Sequence, residues 1–398
     1  MSRLGDLFKI VGGGTPATSN DKYWGDGVPW ISSADISIDG KITYRRKVTQ
    51  LGLDNSTTNV VCKGTVIVVT RVGLGKVAQL DTEACFSQDI QALVDKETTP
   101  EYSPRFLMYQ LLLVMQALKY DGRGTTISGI TKKQLADVEL FMPDIIEQQR
   151  IVARIEELFS QLDSGVETLR KTKQQLAVYR QAVLKEAFAS ISEDEFTKLG
   201  KVIIGTPQNG LYKPKSDYGE GTPILRIDGF YDGTILPNYA YKRVRLSDSE
   251  IELYKLNPGD LVVNRVNSMP YLGKCALVRK LNEITVFESN MMRIKLDKSV
   301  VSGDYLTYYL SSLEGRKQLT KNAKQAVNQA SINQTDVKNA NIPLPKLDRQ
   351  RMIVEQIELR LSVCDSIEQT VDAALQQAEA LRQSVLKQAF EGGISNDA

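Results

Sequence analysis

The sequence predicts two α+β globular lobes separated by two long helices that pair within the chain as an antiparallel coiled coil, a pseudo-twofold object. Three observations predict it. Residues 148–188 (QQRIVARIEELFSQLDSGVETLRKTKQQLAVYRQAVLKEAF) recur without a gap, 202 positions later, as 350–390 (QRMIVEQIELRLSVCDSIEQTVDAALQQAEALRQSVLKQAF). Both copies carry an apolar residue at every seventh position. Each copy follows a stretch rich in short β-branched runs and glycine turns. The implied bounds are a first lobe over 1–143, a helix over 144–190, a second lobe over 196–345 and a helix over 346–391.

Composition narrows the chemistry. A chain of 398 residues exceeds one ordinary domain, and 42% hydrophobic residues suffice for real cores. Cys62, Cys85, Cys275 and Cys364 are scattered without a C-x-x-C pair, and the chain has no histidine. Tetrahedral Cys/His zinc sites, imidazole acid–base catalysis and Ser-His-Asp chemistry are thereby excluded. The opening MSRLGDLFKI lacks a signal-peptide core, and the longest apolar window, 106–118, is interrupted by Tyr109, Gln110 and Gln116. A cytoplasmic protein with reduced thiols and no membrane span is the expectation.

The lobes match each other more weakly, with gaps. Each opens on a Leu-Gly pair read as a strand start (Leu4-Gly5, Leu199-Gly200), then a Gly-Thr-Pro turn at Gly14-Thr15-Pro16 and Gly205-Thr206-Pro207. Strands follow at Pro29-Trp30-Ile31 and Pro223-Ile224-Leu225. Turns at Lys63-Gly64 and Pro258-Gly259 lead into the most β-branched runs, 65–71 and 260–265. Hairpin turns are expected at Gly75-Lys76 and Gly273-Lys274, and helices from about Pro104 and Asp304. A polar loop, 122–130 or 324–332, precedes each long helix. Such a lobe is α+β with a curved, largely antiparallel sheet.

In the first long helix Ile155, Leu162, Leu169, Leu176 and Val183 form the heptad seam, with Ile151, Leu158 and Tyr179 as companions. In the second the seam reads Ile357, Cys364, Val371, Ala378 and Val385, with Ile353, Ile367 and Leu381 beside it. A heptad sustained over about five repeats marks a coiled coil. Helices of roughly 65–70 Å need each other's apolar stripe.

Charge is uneven. Residues 1–143 carry +1 (16 basic, 15 acidic) and 144–196 carry −3 (7 basic, 10 acidic). Residues 197–345 carry +7 (21 basic, 14 acidic) and 346–398 carry −3 (6 basic, 9 acidic). If nucleic acid is the partner, the lobes hold it and the helices need not.

The runs Pro143-Asp144-Ile145-Ile146-Glu147-Gln148-Gln149-Arg150-Ile151-Val152 and Pro345-Lys346-Leu347-Asp348-Arg349-Gln350-Arg351-Met352-Ile353-Val354, with a terminal Val-Leu-Lys-x-Ala-Phe in both helices, carry a family resemblance over essentially the whole chain. The chain resembles the specificity subunits of type I restriction–modification enzymes, with two target-recognition domains and two similar helical spacers. The resemblance implies a non-catalytic subunit that binds double-stranded DNA at a bipartite target with an unread spacer. It implies two adenine methyltransferase subunits using S-adenosylmethionine and two restriction (motor-nuclease) subunits using ATP and Mg as partners, with no cofactor in this chain. The second copy departs mildly, having Met352 where the first has Arg150, and QAVNQAS where the first has RGTTISG, so the halves are expected to read different bases. In agreement, the sequence has neither an Asn/Asp-Pro-Pro-Tyr/Phe motif nor a phosphate loop, and Val72-Gly73-Leu74-Gly75-Lys76 reads as a hairpin.

Candidate DNA contacts follow from residue type and loop position. Arg71 and Lys76, and Arg265, Asn267 and Lys274, lie on or just after the central strands. Arg123, Thr125 and Thr126, and Lys324, Gln325, Asn328 and Gln329, lie in the loops before the helices. Arg or Lys suits guanine edges or phosphate, and Asn or Gln suits adenine. Tyr23, Trp24, Tyr212 and Tyr231 could line the same face, whereas Trp30 reads as core. A solvated loop accounts for any one of these residues equally well; only the set carries weight. Lys185, Glu186 and Lys387 are candidate partner contacts at the helix ends, with a solvated face as the alternative. A two-lobed coiled-coil adaptor without a DNA role stays open, while an autonomous DNA-modifying enzyme is disfavoured by the missing motifs.

Overall fold

The computed structural model describes residues 1–120, 129–231, 233–327 and 329–390. The chain divides into two units, Met1–Leu169 with Ala373–Ala398, and Arg170–Asp372. Each unit contains one lobe and a stretch of both long helices, which run over Ile145–Ala189 and Leu347–Phe390.

In the first unit the β-branched strand Val66–Val69 is buried throughout and lies inside an antiparallel sheet ordered Phe8–Gly12, Ile90–Asp95, Val66–Val69, Val77–Gln79. A second sheet is ordered Arg46–Val48, Trp24–Ile31, Ala84–Phe86, Val60–Val61, and in it Trp30 and Ile31 run parallel to Cys85 and Phe86. The second unit repeats this plan. Gln208–Asn209, Met291–Lys295, Asp260–Asn264 and Cys275–Leu277 form one sheet, and Lys242–Val244, Tyr218–Leu225 and Val286–Phe287 the other, with Ile224 and Leu225 parallel to Val286 and Phe287. Even an irregularity recurs: Val48 faces both Trp24 and Val28, and Val244 faces both Tyr218 and Thr222. The single largely antiparallel sheet expected from the strand pattern is thus two main sheets per lobe, with smaller two- and three-stranded sheets beside them. The long excursion between the two parallel partners supplies the crossover that parallel pairing requires.

The Leu-Gly pairs begin helical turns, Leu4–Leu7 and Leu199–Val202, rather than strands. A Cβ on Gly5 would stand 2.8 Å from that of Ala136. Glycine here lets the first turn press against the capped helix Lys132–Ala136. The helix Pro104–Tyr120 starts on proline, whose missing N–H costs nothing in a first turn. Its counterpart is split into Gly303–Ser311 and Leu313–Thr320, because the Ser312 hydroxyl donates to the Tyr309 carbonyl (2.6 Å) and accepts from the Gly315 N–H (3.1 Å).

Each lobe core takes in the start of one long helix and the end of the other. Ile151, Ile155, Leu386 and Ala389 join the first core, where Phe390 packs edge-on against Phe106 at 5.2 Å. Leu184, Phe188, Ile353 and Ile357 join the second, where Phe188 packs edge-on against Tyr305 and Tyr309. The recurring Val-Leu-Lys-x-Ala-Phe therefore has an internal cause: its Leu and Phe dock the helix end on a lobe.

Two glutamines fix the helix starts. Gln148 and Gln350, at equivalent positions of the repeat, are 1% and 0% exposed. Gln148 accepts from the Ser103 N–H (2.9 Å) and donates to the Pro143 carbonyl (2.8 Å). Gln350 accepts from the Ser302 N–H (2.8 Å) and donates to the Pro345 (2.8 Å) and Val300 (3.0 Å) carbonyls. The repeated Pro-x-x-x-x-Gln thus ties the first turn of each long helix to the entry of its lobe's helix.

Within each unit the long helices pair antiparallel. In the second unit Lys173 bonds Asp372, Arg180 bonds Asp365 and Glu368, and Glu186 bonds Arg360. In the first, Arg382 pairs with Asp163 and lies over the Phe159 ring at 4.8 Å. The seam itself is buried at Ile155, Leu176, Val183, Ile357, Cys364, Val371 and Ala378, and half-buried at Leu162, Leu169 and Val385. Of the companions, Ile151 and Ile353 are buried and the others need correction. Tyr179, Ile367 and Leu381 are exposed and Leu158 is half-buried. Half-buried positions facing the seam fall four residues after most seam residues, among them Phe159, Arg180, Leu361, Glu368, Leu375 and Arg382. Charge hid Arg180, Glu368 and Arg382 among them, since these side chains lay their stems over the seam and pair at the tips.

Candidate nucleic-acid interface

The central strand of the second unit ends at Asn264, and the chain continues as Val266–Asn267 into a small sheet with the hairpin Lys324–Gln325 and Ala330–Ser331. The expected polar loop is therefore a β-ribbon in this copy. It brings the Arg265–Asn267 segment and the 324–331 segment together, and the Ile332 N–H donates to the Arg265 carbonyl at 2.9 Å. Lys324, Gln325 and Gln329 are exposed on the ribbon, and Val327 near its tip is 99% exposed. In the first unit the Ile130 N–H donates to the Thr70 carbonyl at 2.8 Å, the same junction beside Arg71. Arg123, Thr125, Thr126 and Asn328 lie outside the described residues.

Individual candidates separate by environment. Arg71 is exposed in the turn after its strand. Arg265 is half-buried; one guanidinium N–H donates to the Ser289 carbonyl at 2.9 Å, while its buried Nε has no partner among the described residues. Arg265 thus clamps the ribbon to the 288–290 loop. Asn267 accepts from the Ser268 N–H (2.8 Å), and Lys76 donates to the Ser33 carbonyl (2.8 Å). Lys274 points its ammonium at the Tyr231 ring, 3.4 Å from the centroid, and at Tyr271, 4.5 Å away. Tyr23 is half-buried, and the Trp24 ring is covered by the Arg46 guanidinium at 3.6 Å and packs edge-on against Trp30 at 5.2 Å. Trp30 is core, its indole donating to the Gly14 carbonyl at 3.0 Å. Tyr212 and Tyr231 are exposed. Lys185 and Lys387 are exposed, whereas Glu186 is engaged by Arg360.

Sequence reasoning missed one repeated feature. Arg46–Val48 and Lys242–Val244 are edge strands of equivalent sheets, and each exposes two adjacent cations, Arg46 and Lys47 or Lys242 and Arg243. Arg45 and Arg245 extend the rows. The signal was Tyr-Arg-Arg-Lys-Val against Tyr-Lys-Arg-Val, short enough to be lost between gaps. Charged edges also deter strand addition, yet the repeated pair at matched register suits a polyanion as well.

Replacing Arg71 with alanine is expected to weaken duplex binding by about 1–3 kcal/mol with relaxed preference at one base, if it reads a guanine edge. Arg265→Ala is expected instead to lower the melting temperature of the second unit together with binding to every sequence. Thermal melts beside binding isotherms on variant duplexes check both.

Among the described residues no cluster of His, Cys, Asp or Glu could hold a metal, and no helix is long and apolar enough to cross a membrane. Two α+β lobes with antiparallel long helices define a two-lobed, coiled-coil class of protein. A family model described as the type I restriction modification DNA specificity domain matches residues 1–177 and 195–377, and the chain belongs to this family. It is similar to the StySPI specificity subunit of Salmonella potsdam, 30% identical over 285 residues that make up 68% of this chain and 61% of the relative. The EcoKI specificity subunit of Escherichia coli is 29% identical over the same shares. The chain thus spans about three-fifths of the length of these two relatives. The MjaVIII specificity subunit of Methanocaldococcus jannaschii is 23% identical across 98% of this chain and 92% of its own. A chain in a solved structure concerning complex assembly and conformational transition of the type I R-M system has the same fold, with TM-score 0.66 and 20% identity over 99% of this chain and 97% of that one.

Proposed function

We propose that this chain is the specificity subunit of a type I restriction–modification complex, reading a bipartite duplex site with one half per lobe. The observation that carries the reading is the matched equipment of the two lobes: each has a junction after the central strand and a cationic edge strand in its second sheet, built twice on one plan. The ribbon of the second lobe, with Lys324, Gln325 and Gln329 exposed, would present donors and acceptors to base edges, while the edge-strand cations would meet phosphate. The chain itself would perform no chemistry. Two methyltransferase subunits using S-adenosylmethionine would dock on the acidic helices, where like charge repels DNA, and two motor-nuclease subunits using ATP and Mg would join them. Its place of work would be the cytoplasm, with the genome.

The test is a salt titration of duplex binding, with and without a cognate methyltransferase subunit. Binding should weaken linearly in log–log form, and Lys47→Gln with Lys242→Gln should each make the slope shallower by about one. Absence of duplex binding in both settings would favour the adaptor reading.

A further inference from the structure

The second unit contains a cavity of about 500 Å³ that includes Lys274 and Tyr231 but neither the ribbon nor the edge-strand cations of the proposed DNA reading. Its size falls within the range of small-molecule sites. One wall is the long helices, at Lys173, Arg180, Leu184, Leu361 and Glu368; the other is the lobe, at Tyr231, Pro270, Tyr271, Lys274 and Arg316. Among the described residues four cations therefore face it, with Glu368 as the sole carboxylate in its lining.

The cations are not equivalent. Lys173 and Arg180 are held by Asp372, Asp365 and Glu368 across the helix pair. The Asp372 hydrogen bond raises the Lys173 pKa, and for Arg180 the two carboxylates outweigh a burial that works against its charge. Both are spoken for. Among the described residues only ring faces lie beside the Lys274 ammonium, and Arg316 donates to the Pro270 carbonyl at 2.6 Å. Rings and carbonyls orient a cation without cancelling its charge. Two oriented, unneutralised cations in a concavity with leucine and tyrosine walls suit an anionic head on a flat, weakly polar body. A duplex backbone fits poorly, because Lys274 and Arg316 lie in a concavity between helices and lobe.

We propose that this cavity binds a small organic phosphate of nucleotide type, its phosphate on Lys274 and Arg316. This goes beyond the DNA reading and does not depend on it. The sequence counterpart in the first lobe, Lys76, donates to the Ser33 carbonyl and has no ring pair around its ammonium among the described residues, so the proposal is confined to the second lobe.

The experiment is calorimetric titration of the full chain with ATP, inorganic pyrophosphate and adenosine, beside gel shifts on random duplex. ATP and pyrophosphate should bind saturably and adenosine should not. Lys274→Gln and Arg316→Gln should each weaken ATP binding about tenfold, while Lys76→Gln leaves it unchanged; thermal melts confirm that each variant folds. Absence of saturable binding by both phosphates, or equal affinity in wild type, K274Q and R316Q, overturns the proposal. Loss of duplex binding in the two variants with no phosphate binding in the wild type would assign these cations to DNA instead.

Discussion

Gln350→Ala is expected to destabilise the second unit by several kcal/mol, and Gln148→Ala the first by a similar amount. Each truncation removes a buried side chain and strands part-buried or buried main-chain groups: the Ser302 N–H with the Pro345 and Val300 carbonyls, or the Ser103 N–H with the Pro143 carbonyl. An unsatisfied buried group costs about 1–3 kcal/mol. Gln149, one residue along and exposed, is the control and should stay within about 0.5 kcal/mol. Both tryptophans, Trp24 and Trp30, lie in the first unit, so fluorescence-monitored urea unfolding reports Gln148→Ala and circular dichroism reports both. If either glutamine variant behaves as Gln149→Ala does, the main-chain ties are not what holds the helix starts.

Insertion of one heptad into both long helices, after Leu169 and after Val371, is expected to lengthen the unread spacer of the target by about three base pairs. Seven helical residues add roughly 10 Å, and the duplex rises about 3.4 Å per base pair. A heptad preserves the seam, since Leu162, Leu169 and Leu176 repeat on that period. Insertion into one helix alone should misalign Lys173 with Asp372 and Arg180 with Asp365, and reduce binding to both half-sites. Target sites mapped with each variant check this; an unchanged spacer would remove the helices as its determinant.

The long helices were the most legible part of the chain. A heptad repeat depends on spacing alone, and a gapless repeat states the pairing twice. The companion positions were misread because apolar Tyr179, Ile367 and Leu381 looked like seam, whereas the residues facing it include Arg180, Glu368 and Arg382. Hydrophobicity finds stems poorly when they end in charges. In the lobes, Val66–Val69 and Asp260–Asn264 announced themselves as strands through β-branching and flanking turns. The parallel pairing of Ile224 with Val286 had no local signal, because register across some sixty residues is decided by packing. The site was legible only in outline. Spacing brought Arg71 and Arg265 forward together, but environment separates them, one exposed and one clamping a loop. The edge-strand cations at Arg46, Lys47, Lys242 and Arg243 became a pair only when the two sheets were aligned.

The most direct measurement is a genome-wide map of methylated adenines in cells carrying this chain with its methyltransferase partner, repeated with residues 1–143 replaced by the corresponding lobe of another specificity subunit. The account predicts one half-site changed, the other and the spacer retained. Loss or alteration of both half-sites together would contradict reading by separate lobes.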